Sequence, residues 1–227
     1  MRRQFPYFAP IAEHSLLVEF GEQIDPSVHE RVLALDAALS AAPFLGFREA
    51  VPAYACLMIC FDPQATDHLA VKAYAKALLS QPLAPRSRTP REVEVCYDAD
   101  LSSDLAHVAK TTGLSTEAVI AAHLAGRYEV YMYGFAPGYA YLAGVPRPLW
   151  MPRKPAAVRG VPAGSVLIAG PQCLVSTLTM PTGWWIIGRS PTRILTRDPD
   201  RPFLFDVGDP VCFRRVSRAD FDANRHE

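Results

Sequence analysis

The chain has 227 residues, half of them hydrophobic and a fifth charged, which is the balance of an ordinary globular protein with one large or two smaller domains. Lys plus Arg equals Asp plus Glu, and the formal net charge of zero argues against nucleic-acid binding, which normally needs a basic surplus. The five cysteines are scattered without a Cys-x-x-Cys pair, which argues against a disulfide framework or a zinc knuckle. No apolar run suits a signal peptide or a membrane helix, and we expect a cytoplasmic protein that contacts no membrane.

The N-terminal region, residues 1–90, predicts an α+β domain. Asp25 followed by Pro26 is a helix start signal, because Asp caps a helix and Pro suits its first position. The apolar run from Tyr54 to Phe61 predicts a central strand buried on both faces. If Glu92 to Tyr97 supplies a last strand, the order strand, helix, strand, strand, helix, strand predicts a ferredoxin-like split βαβ sandwich. The other predicted elements are strands at 15–20 and 47–51 and a helix at about 66–79.

The second region, residues 91–227, changes character along its length. A Pro-rich stretch at 80–90 predicts a linker or an exposed crossover before it. Residues 104–124 predict a helical hairpin with Gly113 at its turn. The hairpin carries too few basic side chains to be a DNA-reading helix-turn-helix. From Tyr128 onward, short β-rich runs are separated by Gly and Pro at intervals of about ten residues, which favours an antiparallel barrel or sandwich.

Motifs for self-sufficient catalysis are absent from the sequence. There is no Gly-x-x-x-x-Gly-Lys-Ser/Thr loop, no Gly-x-Ser-x-Gly elbow and no His-Glu-x-x-His pair. The six histidines have no metal-ligand spacing, so no metal site is predicted. His123 lies on the helical hairpin, where a packed or solvated histidine and an acid–base catalyst are both open.

The segment Tyr131 to Leu142 combines aromatic side chains with loop-forming residues. Gly134, Pro137 and Gly138 interrupt the aromatic cluster, and glycine allows a close backbone approach while proline fixes a loop. Such a loop could line a pocket for a small planar substrate, or it could be a barrel corner packed on its own aromatics.

A cluster of basic and aromatic residues follows. Arg153 and Arg159 flank Lys154, and the run Gly183 to Pro191 brings two tryptophans beside Arg189. Guanidinium groups suit carboxylates and phosphates because they pair with them bidentately. A solvated basic rim is the alternative.

Taken in order, these segments resemble one family, the B-type subunit of 5-oxoprolinase and allophanate hydrolase subunit 1, which also includes a bacterial inhibitor of a sporulation histidine kinase. The resemblance rests on residues 131–142, 161–166, 183–191 and 208–213, with early support from 14–21 and 51–63. It implies an N-terminal α+β domain followed by a mostly-β cyclophilin-like barrel. It also implies a larger barrel subunit and a third protein as partners, with ATP bound by the complex and used to open 5-oxoproline to glutamate.

Three places depart from the family pattern. Gln172 is followed by Cys173 to Thr177 instead of Thr-Gly-Ile-Tyr-Pro, and Met180 to Thr182 replaces a Ser/Thr-Pro-Gly segment. An expected Pro-Arg before the Val-Pro-Ala-Gly turn is here Ala157-Val158. These changes alter the expected pocket wall.

The site expected from the residues and the resemblance has two parts. Catalytic roles are assigned to His123, Arg153 and Arg189. Substrate-binding roles are assigned to Tyr133, Gly134, Phe135, Pro137, Gly138, Tyr141, Arg159, Gln172, Gly183 and Trp184.

The leading hypothesis for the function is ATP-coupled hydrolysis of a cyclic amide. The alternatives are an allophanate hydrolase or urea carboxylase-type carboxyl-transfer subunit and a non-catalytic inhibitor of a histidine kinase.

Overall fold

The computed structural model describes residues 4–82 and 88–224, and it is a mixed α/β structure. The chain divides into two compact units, Met1–Ser87 and Arg88–Glu227, and each has a hydrophobic core of its own. Part of the predicted linker, residues 83–87, lies outside the described residues. No helix within the described residues is long and apolar enough to span a membrane.

The N-terminal unit is a four-stranded antiparallel sheet with two helices. Asp25 accepts hydrogen bonds from the backbone N–H groups of Ser27 and Val28, and α1 begins at Pro26, which confirms the predicted start. The sheet order is β1-β2-β4-β3. The elements are β1 (Tyr7–Ile11), β2 (Ser15–Glu19), α1 (Pro26–Ala41), β3 (Phe47–Pro52), β4 (Cys56–Phe61) and α2 (His68–Leu79).

Strand β4 is central, as predicted, but it is not buried on both faces. Leu57, Ile59 and Phe61 are buried, whereas the alternate residues Cys56 and Cys60 are half-buried. Because successive side chains point to opposite faces, only one face of β4 lies in the core. The prediction of two buried faces is therefore wrong.

The ferredoxin-like arrangement of the N-terminal unit is not confirmed. The position beside β2 is filled by β1, a strand that the sequence analysis missed. Pro10 weakens the strand signal of β1, but an edge strand tolerates proline. The strand predicted at Glu92–Tyr97 belongs to the second unit instead, where it pairs with the last strand of the chain.

The second unit contains a nearly closed, barrel-like sheet of seven strands in the order β12-β9-β10-β7-β6-β13-β5. Its two ends approach each other where Cys96 and Arg189 exchange backbone hydrogen bonds of 2.8 and 2.9 Å. Strands β8 and β11 form a separate ribbon. A cyclophilin-like class remains a prediction. The strands are β5 (Arg91–Val95), β6 (Tyr128–Tyr133), β7 (Ala140–Ala143), β8 (Val158–Val161), β9 (Ser165–Ala169), β10 (Gln172–Val175), β11 (Met180–Thr182), β12 (Trp185–Arg189) and β13 (Pro210–Arg215).

The predicted helical hairpin is confirmed as α3 (Leu105–Thr112) and α4 (Thr116–Leu124). Gly113 ends α3 with φ +71°, and the Ser115 hydroxyl caps α4 by accepting from the N–H of Ala118. Buried residues of both helices join those of all seven strands in one interior cluster, so the hairpin covers part of the barrel core. A last helix, α5 (Arg218–Asn224), follows β13.

Candidate functional site

The barrel sheet carries a second apolar cluster on its outer face. Along β9, Val166 and Ile168 point into the interior cluster, whereas Leu167 and Ala169 belong to the outer one. Because both faces are covered there, every residue of β9 is buried. The outer cluster is completed by aromatic side chains from the loop before β7 and from the residue before β12.

We call Phe135, Tyr139, Tyr141 and Trp184 the aromatic face. Their ring centroids form a chain, 5.4 Å from Phe135 to Tyr139, 5.5 Å from Tyr139 to Tyr141 and 5.9 Å from Tyr141 to Trp184. Burial raises the pKa of Tyr139 to about 12. Tyr139 and Trp184 are only 4% and 5% exposed, so Tyr141 and Phe135 are the accessible rings of this face. The segment that contains Gly134 and Gly138 therefore meets Trp184 through the ring of Tyr141.

The loop before β7 has a strained and constrained backbone. Phe135 has a φ of +72° and a ring that is 74% exposed, which is unusual for a bulky side chain. Gly138 has a φ of +68°, and a Cβ there would lie 2.6 Å from Leu195. The Pro137 carbonyl accepts a 2.8 Å hydrogen bond from the Thr177 hydroxyl. The loop is therefore held in a form that presents the Phe135 ring at the surface.

Arg153 brings positive charge to the aromatic face. Its guanidinium carbon lies 5.6 Å from the centre of the Trp184 ring, within cation–π range. The Arg153 side chain also borders a groove of about 390 Å³ that is lined by Trp150 and Gln172. An apolar wall next to a guanidinium suits a small ring that carries a carboxylate.

A second concavity lies at the far end of β12. Arg189, Arg193 and Arg197 line this pocket of about 570 Å³, which we call the arginine pocket. The Nε of Arg189 donates to the carbonyl oxygen of Ala163 at 3.1 Å, which fixes the guanidinium against the pocket wall.

The structure therefore brings together only part of the predicted site. Tyr141, Phe135, Trp184 and Arg153 meet at the aromatic face, and Gln172 lies in the groove beside Arg153. Three further predicted residues support this region through the backbone or the loop. These are Gly134 and Gly183, whose backbone groups bond to Tyr139 and Lys154, and Pro137.

Other predicted residues lie elsewhere. Arg189 lines the arginine pocket, and Arg159 is exposed on β8. The hydroxyl of Tyr133 donates to the carbonyl oxygen of Phe205 at 2.8 Å, and its ring packs against the interior cluster. These residues are not assembled with the aromatic face by any described contact.

His123 lies in the interior of the barrel and has no exposed surface. Its Nδ1 is 2.7 Å from the Tyr97 hydroxyl, its Nε2 is 3.6 Å from Cys173 Sγ, and its ring packs 4.4 Å from Phe213. Burial lowers the pKa of His123 to about 3, so the ring is neutral. Since no solvent or substrate reaches it, His123 is a packed core histidine, and we assign it no role in the site.

Burial of His123 makes stability sensitive to acid. The unfolded chain takes up a proton at this histidine near pH 6.5, whereas the folded chain does so only near pH 3. Between these values the unfolded state binds more protons, so the contribution of His123 to stability falls as pH falls, by about 1.4 kcal/mol per unit. We expect His123→Gln to remove this slope in urea unfolding curves taken from pH 7 to pH 4.5.

The control for this experiment is Val130→Ala, which removes methyl groups from the same core without removing a titratable group. It should lower stability equally at every pH. If His123→Gln keeps the acid slope of the parent chain, the histidine is protonated in the folded state and the inference is wrong.

Two candidate residues were missed by the sequence analysis. Arg193 and Arg197 follow Arg189 at intervals of four residues and line the same pocket. The regular spacing was visible in the sequence, but the segment is not helical, so the spacing alone did not indicate a shared surface. Within the described residues there is no cluster of three or more His, Cys, Asp or Glu that could hold a metal ion.

Comparison with known proteins gives three findings. The family model described as "Carboxyltransferase domain, subdomain C and D" matches residues 6–205. A Bacillus subtilis protein named as the B-type subunit of 5-oxoprolinase is 35% identical over 96% of this chain and 95% of its own length. The crystal structure of TTHA0988 is 36% identical and superposes with a TM-score of 0.80 over 90% of this chain, which spans only 40% of that longer chain.

A more distant solved structure shares the fold. The urea carboxylase of Kluyveromyces lactis is 16% identical and superposes with a TM-score of 0.73 over 92% of this chain, which spans 22% of that enzyme. The chain therefore belongs to the family described as "Carboxyltransferase domain, subdomain C and D", and it is a relative of the Bacillus subtilis protein named as a 5-oxoprolinase subunit.

Proposed function

We propose that this chain is a subunit of an ATP-dependent 5-oxoprolinase complex, which opens the cyclic amide of 5-oxoproline to give glutamate. The observation that carries the proposal is the 35% identity, over nearly the full length of both chains, to the Bacillus subtilis protein named as the B-type subunit of 5-oxoprolinase. The proposed partners are a larger barrel subunit and a third protein. Dependence on ATP would place the complex in the cytoplasm.

The aromatic face is the proposed contribution of this chain to the substrate site. 5-Oxoproline is a small, nearly flat ring with one carboxylate. Because Trp184 is only 5% exposed, this ring would pack on the half-buried Tyr141 and the exposed Phe135 while Arg153 pairs with the carboxylate. Arg153 and these rings bind and orient a substrate, but they supply no nucleophile.

The proposed role of ATP is to activate the amide of the substrate for hydrolysis. An unstrained amide resists attack by water, and ATP bound to the complex would supply activation of the carbonyl oxygen by phosphorylation. The described residues of this chain offer guanidinium groups for phosphate but no recognisable nucleotide site. We therefore expect the complex, and not this chain alone, to bind ATP productively.

Glutamate release tests the proposal. We expect no ATP-dependent release from 5-oxoproline by this chain alone, and release when the larger barrel subunit and the third protein are added. In the complete set, Arg153→Gln should lower kcat/KM by about 1.5 to 3 kcal/mol, that is, tenfold or more, because a charged hydrogen bond to the substrate is lost.

A matched control is available in Arg147→Gln. Arg147 lies 5.8 Å from the ring of Trp150, so it makes a similar cation–π contact but does not reach the aromatic face. Equal losses of kcat/KM in the two variants would show that Arg153 does not bind the substrate. A well-folded complete set without glutamate release would overturn the proposed reaction.

Carboxyl transfer is the second candidate function, favoured by the family model that covers residues 6–205. It would leave the same aromatic face to bind an amide acceptor such as urea, whose carboxylated product is allophanate. Incorporation of labelled bicarbonate into such an acceptor by the complete set, in place of glutamate release, would support it.

A further inference from the structure

The arginine pocket brings together several positive side chains in one concavity. Its described lining contains Arg189, Arg193 and Arg197 but no Asp or Glu. Arg193 is half-buried and Arg197 is exposed, and neither forms an ion pair with a described residue. Positive groups gathered in a concave surface raise the local concentration of anions.

Several arginines elsewhere in the same unit are paired with carboxylates. Arg214, Arg215 and Arg218 each lie in an ion pair with a carboxylate, although all three are exposed. Arg193 and Arg197 have no such described ion pair, as is also true of Arg153 and Arg159, but they differ from those two in lining one concavity together. Two guanidinium groups in a concavity without a described carboxylate partner suit a ligand of opposite charge.

The walls of the pocket are built from a tightly fitted backbone. Gly164 has a φ of +81°, and a Cβ there would lie 2.5 Å from the carbonyl oxygen of Ser190. The N–H of Ser190 donates to the Gly164 carbonyl, and the N–H of Gly164 donates to the Ser176 carbonyl, both at 2.7 Å. The guanidinium of Arg189 is therefore carried on a rigid part of the barrel.

A buried hydroxyl adds a neutral donor. Ser190 is only 6% exposed and lines the pocket, and its Oγ accepts a 3.1 Å hydrogen bond from the N–H of Thr192. Its own hydroxyl hydrogen donates to no described acceptor. Phosphate oxygens accept from hydroxyl and guanidinium donors together.

We propose that the arginine pocket binds a small phosphate-bearing anion. The guanidinium groups of Arg193 and Arg197 together match a ligand with two or more negative charges better than a single carboxylate, and the volume of about 570 Å³ exceeds that of inorganic phosphate. The site does not depend on the proposed function, because the aromatic face is assigned to the ring of the substrate and takes no part here.

Calorimetric titration of the full chain at constant ionic strength tests the site. The probes are inorganic phosphate, pyrophosphate and metal-free ATP, with glutarate as a dicarboxylate of similar charge. We expect saturable binding of pyrophosphate that weakens at least tenfold in Arg193→Gln and in Arg197→Gln. ATP binding more tightly than pyrophosphate would identify a nucleotide as the source of the phosphate groups, and equal binding would identify the phosphates alone.

Arg201→Gln is the matched control. Arg201 continues the four-residue spacing, but it lies outside the pocket and within 4.0 Å of Asp206, so the variant should bind pyrophosphate like the parent chain. Unfolding midpoints of the three variants would establish that each is folded. The absence of saturable binding, equal effects of all three substitutions, or glutarate binding as tightly as pyrophosphate would each overturn the proposal.

Discussion

Gly144→Ala is expected to destabilise the second unit by about 4 kcal/mol or more, or to prevent its folding. Gly144 follows β7 with a φ of +116°, and a Cβ there would lie 2.1 Å from the carbonyl oxygen of Arg127 and 2.8 Å from its carbonyl carbon. Both contacts are with backbone, which cannot move aside as a flexible side chain can. Relief requires separating the end of β7 from the start of β6, where Glu129 pairs with Ala143.

Gly170→Ala separates this clash from the cost of the backbone conformation. Gly170 also has a positive φ, +53°, but nothing lies within 4 Å of its added Cβ. We therefore expect a loss of only about 1 to 2 kcal/mol there. Urea unfolding followed by tryptophan fluorescence reports on this unit alone, because all three tryptophans lie in it. A Gly144→Ala variant no less stable than Gly170→Ala would contradict the prediction.

Lys154→Met is the second substitution for which we expect a large effect, about 3 kcal/mol or more. The Nζ of Lys154 lies 2.5 Å from Oδ2 of Asp104, and the two side chains are only 9% and 17% exposed. Asp104 precedes α3 but makes no side-chain capping bond, and its Oδ2 accepts instead from the N–H of Ile186 at 2.7 Å. Without Lys154, a carboxylate remains buried with one amide partner.

A double variant and an exposed pair provide the controls. Adding Asp104→Asn to Lys154→Met removes the orphaned charge, and we expect it to recover at least half of the lost stability. Arg218→Met breaks exposed pairs with Asp100 and Asp222 and should change the urea midpoint little. If Lys154→Met costs no more than Arg218→Met, the buried pair contributes nothing of its own.

Local signals predicted the helices well. The Asp25-Pro26 start of α1 and the Gly113 turn between α3 and α4 depend on caps and backbone conformation, which neighbouring residues determine. The strands were harder to place. The residues of β5 have an ordinary strand pattern, but their partner in the sheet is β13, where Val211 pairs with Arg91, and no local signal specifies so distant a partner.

The candidate site was predicted only in part, because contacts between distant segments have no local signal in the sequence. Tyr141, Trp184 and Arg189 were assigned to one site because their segments combine aromatic and guanidinium groups and resemble the family. The rings of Tyr141 and Trp184 do lie 5.9 Å apart. A strand of five residues spans about 16 Å, however, so Arg189 at the end of β12 lies away from Trp184 and lines the arginine pocket instead. His123 was misjudged because helical periodicity did not show which face of α4 the barrel would cover.

The pairing of β5 with β13 has a consequence for the order in which the protein can fold during synthesis. A ribosome makes β5 first in the second unit and β13 more than a hundred residues later, yet β13 lies between β5 and β6 in the finished sheet. Until β13 emerges, β5 has an open edge that other chains can join, and such long-range pairing forms slowly. A premature stop near residue 209 would thus leave an aggregation-prone fragment instead of a slightly shortened protein.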